Sequence, residues 1–319
     1  MYWHLCAAVA FIAVAVAAVS QGEVLAQDKL KVAIGQRGLW DTSITEISVR
    51  VGIFKKHGLE LETLYTQGGG ETQQAVIANS VDIGVSAGTM GVMSAFTKGA
   101  PIRIIGAEMT GAGDLFWYVR ADSPIKSLSD AGGKTIAYST NGASSHSIAN
   151  RFIQKFAPTA KGVATGNPPS TLTQVMTGQI DVGWAGPPFG LDQLDKSEIR
   201  IVASGNDSGL GGQTVRVLIT HPATLAAKKD QLARYMKGYR ETIDAMYADP
   251  AVVKSYADWL QISVEKAMRS RDGFYPKAAV DPDRIAGLDE LLPEAMAMKF
   301  IAAPLTKEQI AELIQIFPR

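Results

Sequence analysis

Val76-Ile77-Ala78-Asn79-Ser80-Val81-Asp82-Ile83-Gly84 recurs 99 residues further along as Val175-Met176-Thr177-Gly178-Gln179-Ile180-Asp181-Val182-Gly183. A near copy of one short strand follows each, Ile102-Arg103-Ile104-Ile105 after the first and Ile199-Arg200-Ile201-Val202 after the second. Self-similarity at one offset means one structural unit built twice. Two like units in one chain leave a cleft between them, and function becomes a question of what enters it.

Working outward, strand-like segments alternate with helical patterns, which predicts an α/β fold with mostly parallel sheets. Leu30–Gly35 reads as the first strand, Ile44–Phe54 as the helix after it, and Leu59–Leu64 as a second strand with alternating polarity. Gly68-Gly69-Gly70 turns into a helix near Glu71 and Thr72. The second unit replays the scheme with a strand at Lys134–Tyr138 and helices at Ser144–Phe156 and Thr171–Thr177. Leu115–Val119 and Thr214–Ile219 read as two crossover strands, the connectivity of a hinged pair. From Ala223 onward the pattern is helical, with helices near Leu225–Tyr247, Pro250–Leu260 and Asp283–Lys299.

Leu5–Val19 is an apolar run too short to span a bilayer comfortably, and Val24-Leu25-Ala26 supplies the small residues a signal peptidase reads. Residues 1–26 are therefore expected to be an export signal cleaved near Ala26, which predicts a periplasmic protein. Met1-Tyr2-Trp3-His4 lacks the usual positive residues. The single cysteine, Cys6, lies in this segment, so the mature chain has no disulfide framework and no thiol nucleophile. The remaining length suits two domains. Lys plus Arg and Asp plus Glu both number 31, and this balance argues against a nucleic-acid or membrane-surface partner.

In parallel α/β sheets, ligands sit beyond the C-terminal ends of strands, where loops lead into helix N-termini with free N–H groups. Four such turns, rich in Gly, Ser or Thr, stand out: Gln36–Thr42, Gly68–Thr72, Ser86–Thr89 and Asn141–Ser145. Each alone reads equally well as simple turn chemistry; four at equivalent strand ends favour a binding cleft. Arg37 is the best-placed cation. Trp40 and Trp184 also fall at strand ends, either as aromatic walls over a ligand or as packing.

Catalytic constellations are scarce. His4, His57, His146 and His221 lack metal-ligand spacing, and the glycine triplet lacks the Gly-Lys-Ser/Thr ending of a phosphate loop. Asp82 and Asp181 occupy the same point of the repeat, which favours a structural turn role.

The phrases Val51-Gly52-Ile53-Phe54-Lys55-Lys56-His57-Gly58-Leu59, Asn79–Gly84, Ser123–Leu128, Gly133–Ala137 and Gly178–Val182 running on to Pro188-Phe189 carry a resemblance. The chain resembles periplasmic solute-binding proteins of ABC importers, in the group of sulfonate-, taurine- and nitrate-binding proteins and NMT1/THI5-like thiamine-precursor binders. The resemblance implies a type II periplasmic-binding fold, with two α/β lobes joined by two crossover strands. Lobe 1 would comprise 27–116 and 217–319, and lobe 2 would comprise 117–216. By position it places ligand loops in lobe 1 on Arg37, Trp40, Asp41 and Thr42, on Gly69, Gly70, Glu71 and Thr72, and on Ser86, Ala87, Gly88 and Thr89. In lobe 2 it places them on Asn141, Gly142, Ala143, Ser144 and Ser145, and on Trp184, Pro187 and Phe189. Many relatives carry an acidic residue directly before the Pro-Phe pair; Pro187 stands there in this chain, a departure that leaves sulfonate or taurine specificity open.

The implied mechanism is capture of a small, anionic organic solute by hinged closure, without cofactor or metal, by a monomer serving an ABC permease and its ATPase. The alternatives are an enzyme related to the pyrimidine synthases of the superfamily, whose cysteine-rich motif the mature chain lacks, and a ligand-sensing periplasmic receptor.

Overall fold

The computed structural model describes residues 27–319. The export signal expected over 1–26, with Cys6 and the cleavage near Ala26, lies outside the described residues.

Strand β1 (Asp28–Gly35) leads through a short 3-10 turn at Asp41–Ser43 into α1 (Ile44–Arg50) and α2 (Ile53–Lys56). The single helix expected over Ile44–Phe54 is broken where Gly52 takes φ 78°, a left-handed conformation that glycine adopts at little cost. Then come β2 (Leu59–Thr66), α3 (Gly69–Ile77), β3 (Ile83–Gly88), α4 (Thr89–Thr97) and β4 (Arg103–Thr110). The chain crosses into β5 (Phe116–Arg120), β6 (Thr135–Tyr138), α5 (Ser144–Phe156), β7 (Lys161–Ala164), α6 (Pro168–Met176), β8 (Gly183–Ala185), α7 (Leu191–Asp195) and β9 (Ile199–Ser204). It returns through β10 (Thr214–Thr220) and ends in α8 (Pro222–Ala227), α9 (Lys229–Ala248), α10 (Pro250–Leu260), α11 (Val264–Phe274), α12 (Leu288–Ala297) and α13 (Lys307–Leu313). The sequence pattern does not predict strand β7 or helix α11.

The first sheet has the order β2-β1-β3-β10-β4, with β10 antiparallel to both neighbours. The second is assembled from β6-β7 and β8-β5-β9, tied side by side by the Ile136–Val182 bridge. Its order is thus β7-β6-β8-β5-β9, the order of the first, with β5 as the antiparallel member. The two crossover segments are therefore full sheet strands. They begin at Phe116 and Thr214, slightly ahead of the boundaries expected at 116/117 and 216/217.

The duplication extends to single hydrogen bonds. Asp82 accepts the Lys31 N–H at 2.9 Å, and Asp181 accepts the Thr135 N–H at 2.9 Å, so each caps the entry to the first strand of its lobe. Thr66 and Thr72 share a hydroxyl contact of 2.8 Å, and their counterparts Thr165 and Thr171 share one of 2.6 Å. These pairs pin the loop after the second strand to the helix that follows it, α3 or α6. Central strands such as β1 bury side chains on both faces, while edge strand β2 alternates exposed Glu60 with buried Leu59. One connected apolar core runs through both lobes.

Candidate functional site: the seam between the lobes

The helix N-termini of the two lobes meet along a seam. The Gly70 N–H donates to Thr140 Oγ1 at 3.0 Å, the Gln73 amide donates to the Gly142 carbonyl at 3.0 Å, and Asn167 Nδ2 donates to Gln67 Oε1 at 2.9 Å. Contact is backbone against backbone: a Cβ on Gly70 would lie 2.0 Å from the Asn141 oxygen, and one on Gly88 would lie 2.4 Å from the Gly142 oxygen. Real Cβ atoms do not approach so closely, so glycine is required there by the other lobe rather than by its own φ. His146, on the first turn of α5, accepts the Gly142 N–H at Nδ1 (3.1 Å). Burial holds its pKa below the ordinary value, which keeps the ring neutral and able to accept that bond.

Beneath the seam lies a buried charge cluster. Arg216, on β10, donates through Nε to Asp41 at 2.9 Å and through Nη2 to Asp114 at 2.5 Å; its Nη1 is 3.4 Å from Ser144 Oγ of the other lobe. Asp41 belongs to the β1–α1 loop, Asp114 to the β4–β5 crossover, and Ser144 opens α5, so one guanidinium ties both lobes and a crossover together. Burial opposes the charge on Arg216, but Asp114, Asp41 and Glu108 outweigh it and hold the pKa above the usual range. Burial pushes the Asp114 carboxyl up to about 6 against the pull of Arg216. Glu108, on β4, is pushed well above the carboxylate range by burial and then by Asp41. Both Glu108 oxygens, Asp41 Oδ1 and Asp114 Oδ1 are buried without a hydrogen-bond partner among the described residues.

Beside the seam both lobes build a pocket of about 290 Å3. Pro168, Leu172, Pro188 and Phe189 come from lobe 2, and Arg37, Leu260, Ile262 and Lys266 come from the other lobe. Arg37 is exposed, with its guanidinium 4.6 Å over the Trp259 ring. Next to the pocket, Lys266 pairs with Asp192, and Arg269 pairs with Asp195 at 2.8 Å, linking α11 to α7. On another side of the seam Arg151 pairs with Glu294 at 2.7 Å.

The loops singled out in the sequence are brought together unevenly. Those of Gly69–Thr72, Ser86–Thr89 and Asn141–Ser145 meet at the seam, while Arg37 and Phe189 line the pocket. Trp40 and Trp184 are buried packing residues and line no part of that pocket. Trp40 stands edge-on to Tyr256, ring centroids 4.8 Å apart, and Trp184 is only 2 % exposed. Thr42 donates to the Leu39 carbonyl, Thr72 locks its own loop, Glu71 accepts the Gln67 N–H, and Pro187 accepts the Tyr275 hydroxyl at 3.1 Å. The sequence reading does not single out Arg216, Asp114 or Glu108. The available signal is a lone charge inside an otherwise apolar strand, Val215-Arg216-Val217 and Ala107-Glu108-Met109, which has to be paired or neutral if the strand is buried. No group of His, Cys, Asp and Glu suited to a metal ion occurs among the described residues.

No protein of curated function matches the chain by sequence. Among solved structures it is similar to the alkanesulfonate-binding protein SsuA of Xanthomonas axonopodis pv. citri bound to MOPS, at a TM-score of 0.73 and 15 % identity, covering 92 % of this chain and 99 % of that one. It is also similar to the aliphatic sulphonate binding protein SsuA of Escherichia coli, at 0.64 and 15 %, covering 88 % and 91 %. The nitrate-binding protein NrtA of Synechocystis PCC 6803 gives 0.67 and 12 %, covering 90 % and 85 %. At these identities the likeness establishes the fold, which is that of periplasmic binding proteins. Residues 48–252, the greater part of the chain, match the family described as NMT1/THI5 like, and the chain belongs to that family.

Proposed function

We propose that this chain is the solute-binding component of an ABC importer, taking up a small organic anion between its lobes and presenting the closed form to a membrane permease served by an ATPase. It works as a periplasmic monomer and needs neither cofactor nor covalent chemistry. The observation that carries this reading is the seam, where loops from two copies of one unit converge and hydrogen-bond across the lobes. Ligand that bridges both lobes stabilises the closed state by its differential affinity for it. Arg37 on the first loop supplies the positive charge, Phe189 supplies part of the wall, and the loops ending at Thr72, Thr89 and Ser145 join the two lobes beside it.

The test is a thermal-shift screen of the purified protein over sulfonates, nitrate, carboxylates and pyrimidines, followed by small-angle X-ray scattering of each hit. A ligand at one hundred times its dissociation constant adds about 2.7 kcal/mol of apparent stability. A hit that also compacts the protein is the expected result. Turnover of a compound by the purified protein, or a screen in which nothing stabilises it, overturns the reading.

A further inference from the structure

Within the zone between the lobes, two places compete for an anionic solute: the seam of helix N-termini, and the 290 Å3 pocket on its flank. At the seam, glycine backbones of one lobe lie directly against backbone oxygens of the other, which leaves no room even for a methyl group at Gly70, Gly88 or Gly91. Under it, the Arg216 guanidinium is already paired with two buried carboxyl groups, Asp41 and Asp114, and has no free charge to offer an anion. The pocket has the opposite character. Apolar side chains stand on both sides, Leu172 and Phe189 from one lobe and Leu260 and Ile262 from the other, with Tyr118, Asp192 and Gln193 among them. Lys266 is already neutralised by Asp192, whereas Arg37 forms no ion pair among the described residues, so the pocket is positive through Arg37.

We infer that the solute sits in this flank pocket rather than on the seam, and that it is a small monocarboxylate with an apolar body. The inference rests on the solute-capture reading above. A guanidinium stacked on an aromatic ring keeps its edge N–H groups free, and that planar fork fits a carboxylate with two parallel hydrogen bonds. The volume lies at the small end for organic ligands, so a body of a few carbons to one ring fills it. Both lobes contribute to the wall, the second more than the first, and the α7–α11 ion pairs lie at its edge, so the pocket exists only while the lobes are together. Filling it and holding the lobes together are the same event.

The experiment titrates the purified protein by calorimetry with straight-chain carboxylates from propionate to octanoate, with benzoate and with its neutral analogue benzamide. Affinity rises about fourfold per added methylene until the pocket is full, and benzoate binds while benzamide does not. Leu172→Trp, which fills the pocket, abolishes carboxylate binding with the unliganded melting temperature unchanged. Arg37→Gln weakens benzoate about ten- to a hundredfold and leaves benzamide where it was. Affinity that does not change with chain length, or carboxylate binding that survives Leu172→Trp, overturns the site assignment, and the capture reading then stands if the bound protein still compacts in scattering. If carboxylates fail while nitrate or a pyrimidine binds, the inference falls and the capture reading stands; if nothing binds, both fall.

Discussion

Replacing Arg216 by leucine removes the one positive charge from a site that holds three carboxyl groups, and the cost follows from what is left behind. Arg216 is 3 % exposed and donates to Asp41 and Asp114, both wholly buried. Without it those carboxyl groups lose their only cationic partner and their hydrogen bonds, and each must either stay charged in a dry interior or take up a proton. Breaking a buried ion pair from one side costs about 3–5 kcal/mol, a large part of a total stability of about 5–15 kcal/mol. At urea slopes of about 1–3 kcal/mol/M, the midpoint of denaturation is expected to fall by roughly 1 M or more. Glu108→Gln is the matched control. Burial pushes its carboxyl toward the protonated form and it has no hydrogen-bond partner among the described residues, so the amide is expected to shift stability by less than about 1 kcal/mol. A loss below about 1 kcal/mol for Arg216→Leu, or an equal loss for Glu108→Gln, would refute the reasoning that pairing by Arg216 makes the buried acids tolerable.

The raised pKa of Asp114 has a pH signature. The folded state binds its proton up to about pH 6, whereas an ordinary aspartate releases it near 3.8, so this group's contribution to stability falls as pH rises from about 4 to about 6 and is level above; urea titrations across that window should show the slope in the wild type and its loss in Asp114→Asn. Gly88→Val places a methyl-bearing carbon 2.4 Å from the Gly142 oxygen, so scattering should report a larger radius of gyration and any solute should bind at least tenfold more weakly; an unchanged radius would contradict the seam. Asp82→Ala and Asp181→Ala each remove the cap on a first strand and are expected to cost about 1–3 kcal/mol in denaturant titrations, with Asp82 the costlier because it also holds Lys228 at 2.8 Å. Equal, negligible losses at both would show the capping bonds to be dispensable.

The architecture was legible because the repeat is written in residues whose roles are local. Asp82 and Asp181 cap strands, Gly84 and Gly183 admit the valine of the preceding helix, and periodicity carries the rest. What stayed hidden had weak local signals. Lys161–Ala164 is short and largely exposed, so β7 shows no alternation, and α11 is nearly half charged residues with a narrow buried stripe at Ala267 and Ser270. The site was less legible than the fold. Gly and Ser at strand ends single out the loops that meet at the seam, whereas nothing local tells that Trp40 and Trp184 are buried. The charge cluster joins residues 175 and 102 positions apart, which no local pattern reports.

The exchange of β5 and β10 fixes how this molecule can come into being. Strand β10 lies between β3 and β4 in the first sheet, yet it is made only after the whole second sheet has been made. A growing chain thus exposes an incomplete first sheet, with β3 and β4 unjoined, until Thr220 has emerged, whereas the strands of the second sheet, β5 to β9, are contiguous and all present before then. The later-made half can therefore mature first, and the earlier-made half waits for its last strand.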